Sequence, residues 1–336
     1  MSRMRRIVLA RPLAAAPVAA DFRLEETTLP EPSEGELLAR TLYLSLDPYV
    51  GSVLRGRHLG DHQPQPGDLV PGRGIGEVIA SRATGFEAGD IVRGEFGWRD
   101  HAILPAAAAQ KITPEDAPLS AQLGVAGMPG LTAYAGIKHL AKVSGGEHVL
   151  VSSAAGAVGG AAGQIARILG AARVVGIAGS PSKCAVVTGD YGFDTCVNYR
   201  NAGWKDALKD ALPRGADVYF DNVGGELLMT ALLNLANYGR VVFCGLASQY
   251  HTDERPAGPN PGLYIAKRAQ LYGLVVYDFE HEQVAFTRLA GGWIREGRLA
   301  VTEDRVEGLE NAPGLFEKLM RGENVGKAIV RVGDKA

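Results

Sequence analysis

The residues with the clearest chemical signature form a glycine-rich segment near the middle of the chain. Residues 149–160 read as an apolar strand, a turn of small residues and the start of a helix. Ala154, Gly156 and Gly159 occupy the three spaced positions of the G-x-G-x-x-G pattern, with alanine at the first. A pyrophosphate needs small residues there because it must approach bare backbone N–H groups at a helix N-terminus. The segment therefore predicts a dinucleotide site.

The neighbouring elements support this interpretation. The helix after the turn carries apolar residues on one face and stops at Gly170, and a second strand follows over 173–179. A tight strand-to-helix turn without a ligand is the alternative, and this strand, turn, helix and strand order makes it the weaker one. Ala157 and Val158, at the start of the helix, are predicted to bind the cofactor together with the three patterned positions.

The end of the second strand indicates which nicotinamide cofactor is bound. An NAD site usually places Asp or Glu there, to accept a hydrogen bond from the ribose 2′-hydroxyl. This chain has Gly179, Ser180 and Lys183 instead, without a carboxylate that would repel a phosphate. Because lysine binds phosphate as a point charge, the segment favours NADPH over NADH. A solvated lysine at a helix start is the alternative interpretation of Lys183.

Composition excludes several functions. With 336 residues, 35 basic and 37 acidic, the chain can bury a large core and carries a net charge of only −2, so nucleic-acid binding is not expected. The apolar stretch near its start is short and interrupted, which fits neither a signal peptide nor a membrane span and predicts a cytoplasmic location. The three cysteines, Cys184, Cys196 and Cys244, form no metal-ligand pattern, so no metal site is predicted.

Two patterns divide the chain. Residues 6–118 read as short strands between Gly and Pro turns, which predicts an irregular, partly closed β-barrel. Helices and strands then alternate, and a doubly wound parallel sheet is predicted from strands at 147–153, 173–179, 195–199, 216–223, 239–245 and 269–276. A terminal strand within 325–332 is expected to return to the first domain.

These patterns predict a discontinuous β domain and an inserted nucleotide domain. The β domain comprises residues 1–120 and 300–336, and the nucleotide domain comprises residues 121–299. Ligands often bind in the cleft between two domains, so the substrate site is expected there.

Six ordered motifs resemble the zinc-free medium-chain dehydrogenases/reductases, within them the prostaglandin reductase, leukotriene B4 dehydrogenase and curcumin reductase branch. The motifs lie at 46–49, 127–134, 154–160, 219–225, 248–250 and 322–327. The resemblance covers residues 35–332 and implies an α/β fold, a Rossmann domain with a GroES-like β domain. It also implies NADPH-dependent reduction of the carbon–carbon double bond of α,β-unsaturated aldehydes and ketones, usually by a homodimer and without zinc.

In that reaction a hydride adds to the β-carbon and negative charge develops on the carbonyl oxygen, which requires a hydrogen-bond donor. Tyr250 is the first candidate, because a phenol with a pKa of about 10 keeps its proton at neutral pH. By resemblance, the turn at 248–250 lies beside the nicotinamide ribose. Tyr49 is similar to a substrate-contacting tyrosine of the family and would face Tyr250 across the cleft. A packing role is the alternative for each tyrosine.

The resemblance implies further cofactor contacts. They are Tyr199, with Lys183, at the 2′-phosphate; Asn222, Val276 and Tyr277 near the nicotinamide; Cys244 and Gly245 after the fifth strand; and Asn324 near the terminal strand. Cys244 is expected to be a buried small apolar side chain and not a reactive thiol.

The chain departs from the family after its Asp-Pro-Tyr motif, where Val50 and Gly51 replace the usual Met-Arg. A side chain that normally lines or supports the pocket is therefore absent. The proline-rich loop at 251–262 is expected to form part of the pocket rim. Two alternatives remain at this point: a quinone or alcohol oxidoreductase with the same cofactor site, and an NADPH-binding protein without turnover that acts as a redox sensor or structural partner.

Overall fold

The computed structural model describes residues 3–57, 63–250 and 257–333. The chain divides into two compact units, one formed by Met1–Leu123 with Glu303–Ala336 and the other by Gly124–Thr302. We call them the β unit and the α/β unit. Residues 251–256 of the expected pocket rim lie outside the described part. Within the described part, no helix combines the length and the apolar composition needed to cross a membrane.

The strands and helices of the described residues are numbered in chain order. The strands are β1 Arg3–Leu9, β2 Phe22–Thr28, β3 Glu36–Ser45, β4 Arg73–Ser81, β5 Ile91–Glu95, β6 His101–Pro105, β7 Gln110–Lys111, β8 His148–Val151, β9 Arg173–Ala178, β10 Thr195–Asn198, β11 Ala216–Asp221, β12 Leu235–Phe243, β13 Gln270–Gly273, β14 Glu303–Glu307 and β15 Lys327–Arg331. The α-helices are α1 Pro48–Leu54, α2 Met128–Tyr134, α3 Ala157–Ile168, α4 Pro181–Gly189, α5 Trp204–Ala211, α6 Gly225–Leu233, α7 Pro261–Lys267, α8 Gln283–Arg295 and α9 Ala312–Met320.

The α/β unit is built on a parallel sheet with the strand order β10-β9-β8-β11-β12-β13. Counted within the unit, this is the order 3-2-1-4-5-6 of a doubly wound nucleotide-binding sheet. The order reverses between β8 and β11, and ligands bind at the carboxyl ends of the strands at such a point. The predicted Rossmann sheet is confirmed.

The sixth strand of this sheet is shorter than predicted. The sequence pattern predicts a strand over 269–276, but β13 ends at Gly273. Its neighbour β12 ends at Phe243, whose carbonyl accepts the Leu274 N–H at 3.0 Å. Beyond this bond β12 offers no further partner, and the chain turns into a 3₁₀-helix at Val276–Glu282.

The β unit has a sheet of order β14-β15-β3-β4-β5-β7, with β6 paired to β3, and a separate antiparallel pair formed by β1 and β2. The terminal strand β15 runs antiparallel to β3. A β domain separate from the parallel sheet is thus confirmed. The pairings among the described strands form an open sheet and not a closed barrel.

Helix α9 packs into the core of the β unit. The indole ring of Trp98 is completely buried, with its centroid 5.3 Å from the rings of Phe22 and Phe316. Because Phe316 belongs to α9, this aromatic cluster attaches the C-terminal part of the chain to the N-terminal strands. The same helix ends at Met320, which contacts the region of Tyr49 discussed below.

Candidate functional site

The glycine-rich turn exposes backbone at the start of α3. Strand β8 ends at Val151, Gly156 is the N-cap of α3, and no side chain caps this helix. The first N–H groups of an α-helix have no acceptor within the helix. A Cβ at Gly159 would lie 2.3 Å from the backbone oxygen of Ser153, so only glycine permits this close packing of helix against turn. A bare helix N-terminus beside a glycine turn fits a pyrophosphate group.

A buried carboxylate joins the ends of β8 and β11 beside this turn. Asp221 is completely buried, and its side chain accepts hydrogen bonds from Ser152 Oγ at 3.0 Å and from the Tyr219 hydroxyl at 2.7 Å. The Gly224 N–H also donates to it at 3.0 Å. Ser152 Oγ in turn accepts the Asn222 N–H at 2.9 Å. The network holds the glycine turn against β11 where the strand order reverses.

The sequence interpretation assigned no role to Ser152 or Asp221. The available signal was an acidic residue directly after the apolar run of β11, since a buried carboxylate needs hydrogen-bond partners. Burial, followed by the charge of Asp221, raises the pKa of Tyr219 well above its ordinary value. The Tyr219 hydroxyl therefore remains a donor to Asp221 at any neutral pH.

Three predicted cofactor contacts come together at the carboxyl ends of β11 and β12. The backbone oxygen of Asp221 accepts the N–H groups of Cys244 and Gly245 at 2.8 and 3.2 Å. The side-chain amide of Asn222 donates to the Ser152 carbonyl at 2.8 Å. Burial, with a smaller effect of Asp221, raises the pKa of the Cys244 thiol to about 12, so this thiol stays protonated.

Tyr250 lies over the same turn. Its hydroxyl oxygen accepts the Leu246 N–H at 3.3 Å, and a Cβ at Gly245 would be only 2.9 Å from it. Burial is the main reason that the pKa of Tyr250 is raised above its ordinary value. The structure thus places a protonated phenol beside Gly245 and close to the backbone of Asn222, which lies 3.1 Å from the same Cβ position.

The residues predicted to recognise the 2′-phosphate gather at the ends of β9 and β10. Ser180 Oγ caps α4 by accepting the Lys183 N–H at 3.2 Å. The Tyr199 hydroxyl and ring lie 3.1 Å from the Cβ position of Gly179. The guanidinium of Arg200 lies 5.9 Å from the centre of the Tyr199 ring and adds a cation that the sequence interpretation missed. Arg200 could have been identified from the sequence because it directly follows Tyr199.

Two other predicted contacts lie beyond the end of the sheet. Val276 and Tyr277 were predicted at the end of the sixth strand; instead they begin the 3₁₀-helix that starts three residues after β13. Tyr277 is exposed over 42% of its surface. A contact of either residue with the cofactor stays a prediction.

In the β unit, the Asp-Pro-Tyr motif starts a helix. Pro48 occupies the first position of α1, where its missing N–H and fixed φ are tolerated. Tyr49 is half-buried and packs against the core, and Val50 is completely buried. A Cβ at Gly51 would lie 2.5 Å from the terminal methyl group of Met320. Met320 therefore fills the space that the family's larger side chain after this motif would enter.

A buried ion pair ties this motif to the last motif of the chain. Lys327 Nζ lies 2.7 Å from Asp47 Oδ1 and donates to the Leu46 carbonyl at 2.6 Å, and Lys327 is only 4% exposed. The Ser45 hydroxyl donates to the other oxygen of Asp47. Nearby, the buried side-chain amide of Asn324 donates to the Gly326 carbonyl at 2.8 Å and shapes the turn into β15. A cofactor contact of Asn324 stays a prediction.

Metal-ligating side chains do not cluster in the described ranges, where no three His, Cys, Asp or Glu residues are close enough to hold a metal ion. The three cysteines are thiols, and each is partly accessible to solvent.

Two domain families match the chain. Residues 5–112 match the N-terminal domain of oxidoreductases, and residues 157–290 match the family described as zinc-binding dehydrogenases.

Characterised relatives match nearly the whole chain. Prostaglandin reductase 1 of Bos taurus is 41% identical over 94% of this chain and 95% of its own length. The NADPH-dependent curcumin reductase of Escherichia coli is 38% identical over 98% and 97%, and the NADP⁺-dependent 2-alkenal reductase of Nicotiana tabacum is 36% identical over 98% and 97%. Among solved structures, CurA of Vibrio vulnificus in complex with NADPH is 34% identical, with a TM-score of 0.91 over 98% of this chain and 99% of that one.

Proposed function

The chain belongs to the zinc-independent medium-chain dehydrogenases/reductases, in the branch of the prostaglandin, curcumin and 2-alkenal reductases, and from this membership we propose its reaction and the residues that carry it. It is an NADPH-dependent oxidoreductase that reduces the carbon–carbon double bond of α,β-unsaturated aldehydes and ketones. The observation that carries this function is the phenol of Tyr250 at the carboxyl end of β12, beside the turn of Asn222 and Gly245.

The α/β unit offers a separate group of residues for each part of the cofactor. The start of α3, at Ala157 and Val158, would hold the pyrophosphate, with Ala154, Gly156 and Gly159 keeping the approach open. Gly179, Ser180, Lys183, Tyr199 and Arg200 would surround the 2′-phosphate. Asn222, Cys244 and Gly245 would lie along the nicotinamide half. When bound, NADPH supplies the hydride that adds to the β-carbon of the substrate.

Replacing Lys183 with alanine tests the 2′-phosphate assignment. A charge-assisted hydrogen bond to phosphate is worth about 1.5–3 kcal/mol, so we expect the KM for NADPH to rise by roughly ten- to a hundredfold while the KM for NADH changes little. Lys209→Ala is the matched control, because Lys209 is an exposed lysine in the last turn of α5. Equal effects of Lys183→Ala on both cofactors would contradict the assignment.

The reaction needs a donor at the substrate's carbonyl oxygen, where negative charge develops as the double bond is reduced. We assign this role to the Tyr250 hydroxyl, acting on the oxygen directly or by fixing the ribose hydroxyl that does so. Its raised pKa keeps the proton in place through neutral pH. Tyr49, at the start of α1, is proposed to contact the substrate, and the ion pair of Asp47 with Lys327 fixes the helix start that carries it.

A panel of substrates tests the reaction class. NADPH oxidation is followed spectroscopically with an enone, a quinone and a saturated aldehyde, each at matched concentration. The proposed function predicts turnover of the enone, with the saturated product identified by mass, and none of the saturated aldehyde. Turnover of the quinone alone would replace the enone reductase with a quinone reductase, and NADPH binding without any turnover would favour a sensor.

We also propose that the protein works as a homodimer through the edge of its parallel sheet. Strand β13 is the last strand in the sheet order, and an edge strand leaves backbone groups open for pairing with a second copy. Apolar side chains are exposed along and beside it: Leu271 over 46% of its surface, Ile265 over 75% and Val275 over 42%. Exposed apolar groups on an edge strand are typical of an interface.

Charge at this edge is expected to separate the subunits. Leu271→Lys should raise the dimer dissociation constant by at least about tenfold, because it places a charge in an apolar contact. Sedimentation over a range of protein concentrations measures the change. Leu233→Lys, on α6 and 56% exposed, is the control that keeps the dimer. A wild-type protein that sediments as a monomer at micromolar concentration would refute the homodimer.

A further inference from the structure

Two cysteines lie side by side next to the proposed phosphate subsite. Cys184 belongs to α4 and Cys196 to β10, and their sulfur atoms are 2.7 Å apart. A disulfide has a sulfur–sulfur distance of about 2.05 Å, so the bond needs a relative movement of only about 0.7 Å. Both residues are half-buried free thiols, which a small oxidant can reach. The two sulfur atoms are therefore close enough to form a disulfide after a small movement.

The position of this pair connects it to the cofactor. Cys184 directly follows Lys183 in the first turns of α4, and Cys196 lies three residues before Tyr199. Helix α4 carries the lysine proposed to bind the 2′-phosphate, and β10 leads to the tyrosine whose ring lies beside Gly179. A covalent bond between α4 and β10 would fix the two sides of this subsite relative to each other.

We propose that Cys184 and Cys196 form a redox-active pair that a peroxide converts to a disulfide, and that this disulfide weakens the binding of NADPH. The second part rests on the proposed 2′-phosphate subsite at Lys183. Weaker binding is expected because the bond draws α4 toward β10 and displaces the Lys183 ammonium group, and misplacement by less than 1 Å already weakens a contact of this kind. In the sheet order, β9 and β8 separate β10 from the ends of β11 and β12 near Tyr250, so the effect is expected on cofactor affinity and not on the hydride transfer.

The chemistry balances with hydrogen peroxide as the oxidant. The Cys184 sulfur, as thiolate, attacks one peroxide oxygen, which breaks the O–O bond and gives a sulfenic acid and one water. The Cys196 sulfur then attacks the sulfenic sulfur, forms the S–S bond and releases the second water, so that two thiols lose two electrons and two protons. Burial, followed by contact with Cys184, raises the pKa of Cys196 and disfavours its thiolate, so we assign the first attack to the Cys184 sulfur. Burial also raises the pKa of the Cys244 thiol, to about 12, which disfavours its thiolate.

Mass spectrometry and thiol titration test the pair directly. After treatment with hydrogen peroxide, the protein should lose two hydrogen atoms in mass, its three free thiols should fall to one, and a digest should contain one peptide that joins Cys184 to Cys196. Dithiothreitol should restore all three thiols. Cys184→Ser and Cys196→Ser should each abolish the cross-link. A protein that keeps three thiols, or that only gains oxygen atoms without a cross-link, overturns the proposed pair.

Cofactor binding tests the consequence. The dissociation constant for NADPH, measured by fluorescence titration, should rise by about three- to tenfold in the oxidised protein and return on reduction, while that for NADH stays within about twofold. Cys196→Ser treated with the same peroxide should bind NADPH as the reduced protein does. Unchanged NADPH affinity in cross-linked protein overturns the regulatory part. Failure of the phosphate subsite itself shows separately, as equal effects of Lys183→Ala on both cofactors.

Discussion

Replacing Lys327 with methionine is expected to lower the free energy of unfolding by about 3–5 kcal/mol, because it leaves the carboxylate of Asp47 buried without its cation. Lys327 and Asp47 are both nearly inaccessible, and the lysine also donates to the Leu46 carbonyl. Urea unfolding followed by tryptophan fluorescence, to which Trp98 in the core of the same unit contributes, measures the loss. Reduced enone turnover should accompany it, since the helix start that carries Tyr49 loses its anchor.

The control for this substitution is a pair at the surface. Lys318 contacts Asp304 at 2.6 Å, but its side chain is 45% exposed, so Lys318→Met should cost no more than about 1 kcal/mol. The double variant Asp47→Leu with Lys327→Met should recover most of the lost stability, because both charges leave together. A loss for Lys327→Met no larger than that for Lys318→Met would show that the pair contributes little.

Replacing Tyr250 with phenylalanine is expected to lower the rate of enone reduction by roughly tenfold to a thousandfold. This is the range for removing one donor to a developing negative charge. The ring of the phenylalanine keeps the packing over Gly245, and only the hydroxyl that accepts the Leu246 N–H is lost. The effect should appear in kcat, measured with saturating NADPH, while the dissociation constant for NADPH changes much less.

Tyr238→Phe is the matched control for the loss of a phenol. Tyr238 is exposed over 65% of its surface and lies in the first half of β12, away from the end of the strand where Tyr250 lies. It should retain wild-type kinetics. A Tyr250→Phe enzyme with an unchanged rate would remove Tyr250 from the mechanism, and one that loses NADPH affinity without losing kcat would make it a cofactor-binding residue only.

Some features of this fold depend only on residues that are neighbours in the chain. The glycine turn, the apolar helix after it and the residues 179–183 are short-range patterns, since backbone geometry and helix-terminus chemistry depend on neighbours in the chain. They predicted the Rossmann sheet and the cofactor class. Strand ends were less predictable. Strand β13 stops at Gly273 because its partner β12 stops at Phe243, and the apolar pattern of one strand does not show where its neighbour ends.

By itself, the sequence determined the parallel sheet, the β domain that accompanies it and the position of the dinucleotide turn, because each depends on periodicity or on the steric needs of a few consecutive residues. Only the tertiary structure decided the long-range partners. Asp221 with Ser152, Lys327 with Asp47, and Cys184 with Cys196 are each brought together by strand pairing or packing across at least a dozen residues. Such contacts form only when distant segments of one unit pack together, and they join the glycine turn to β11, the start of α1 to β15, and α4 to β10.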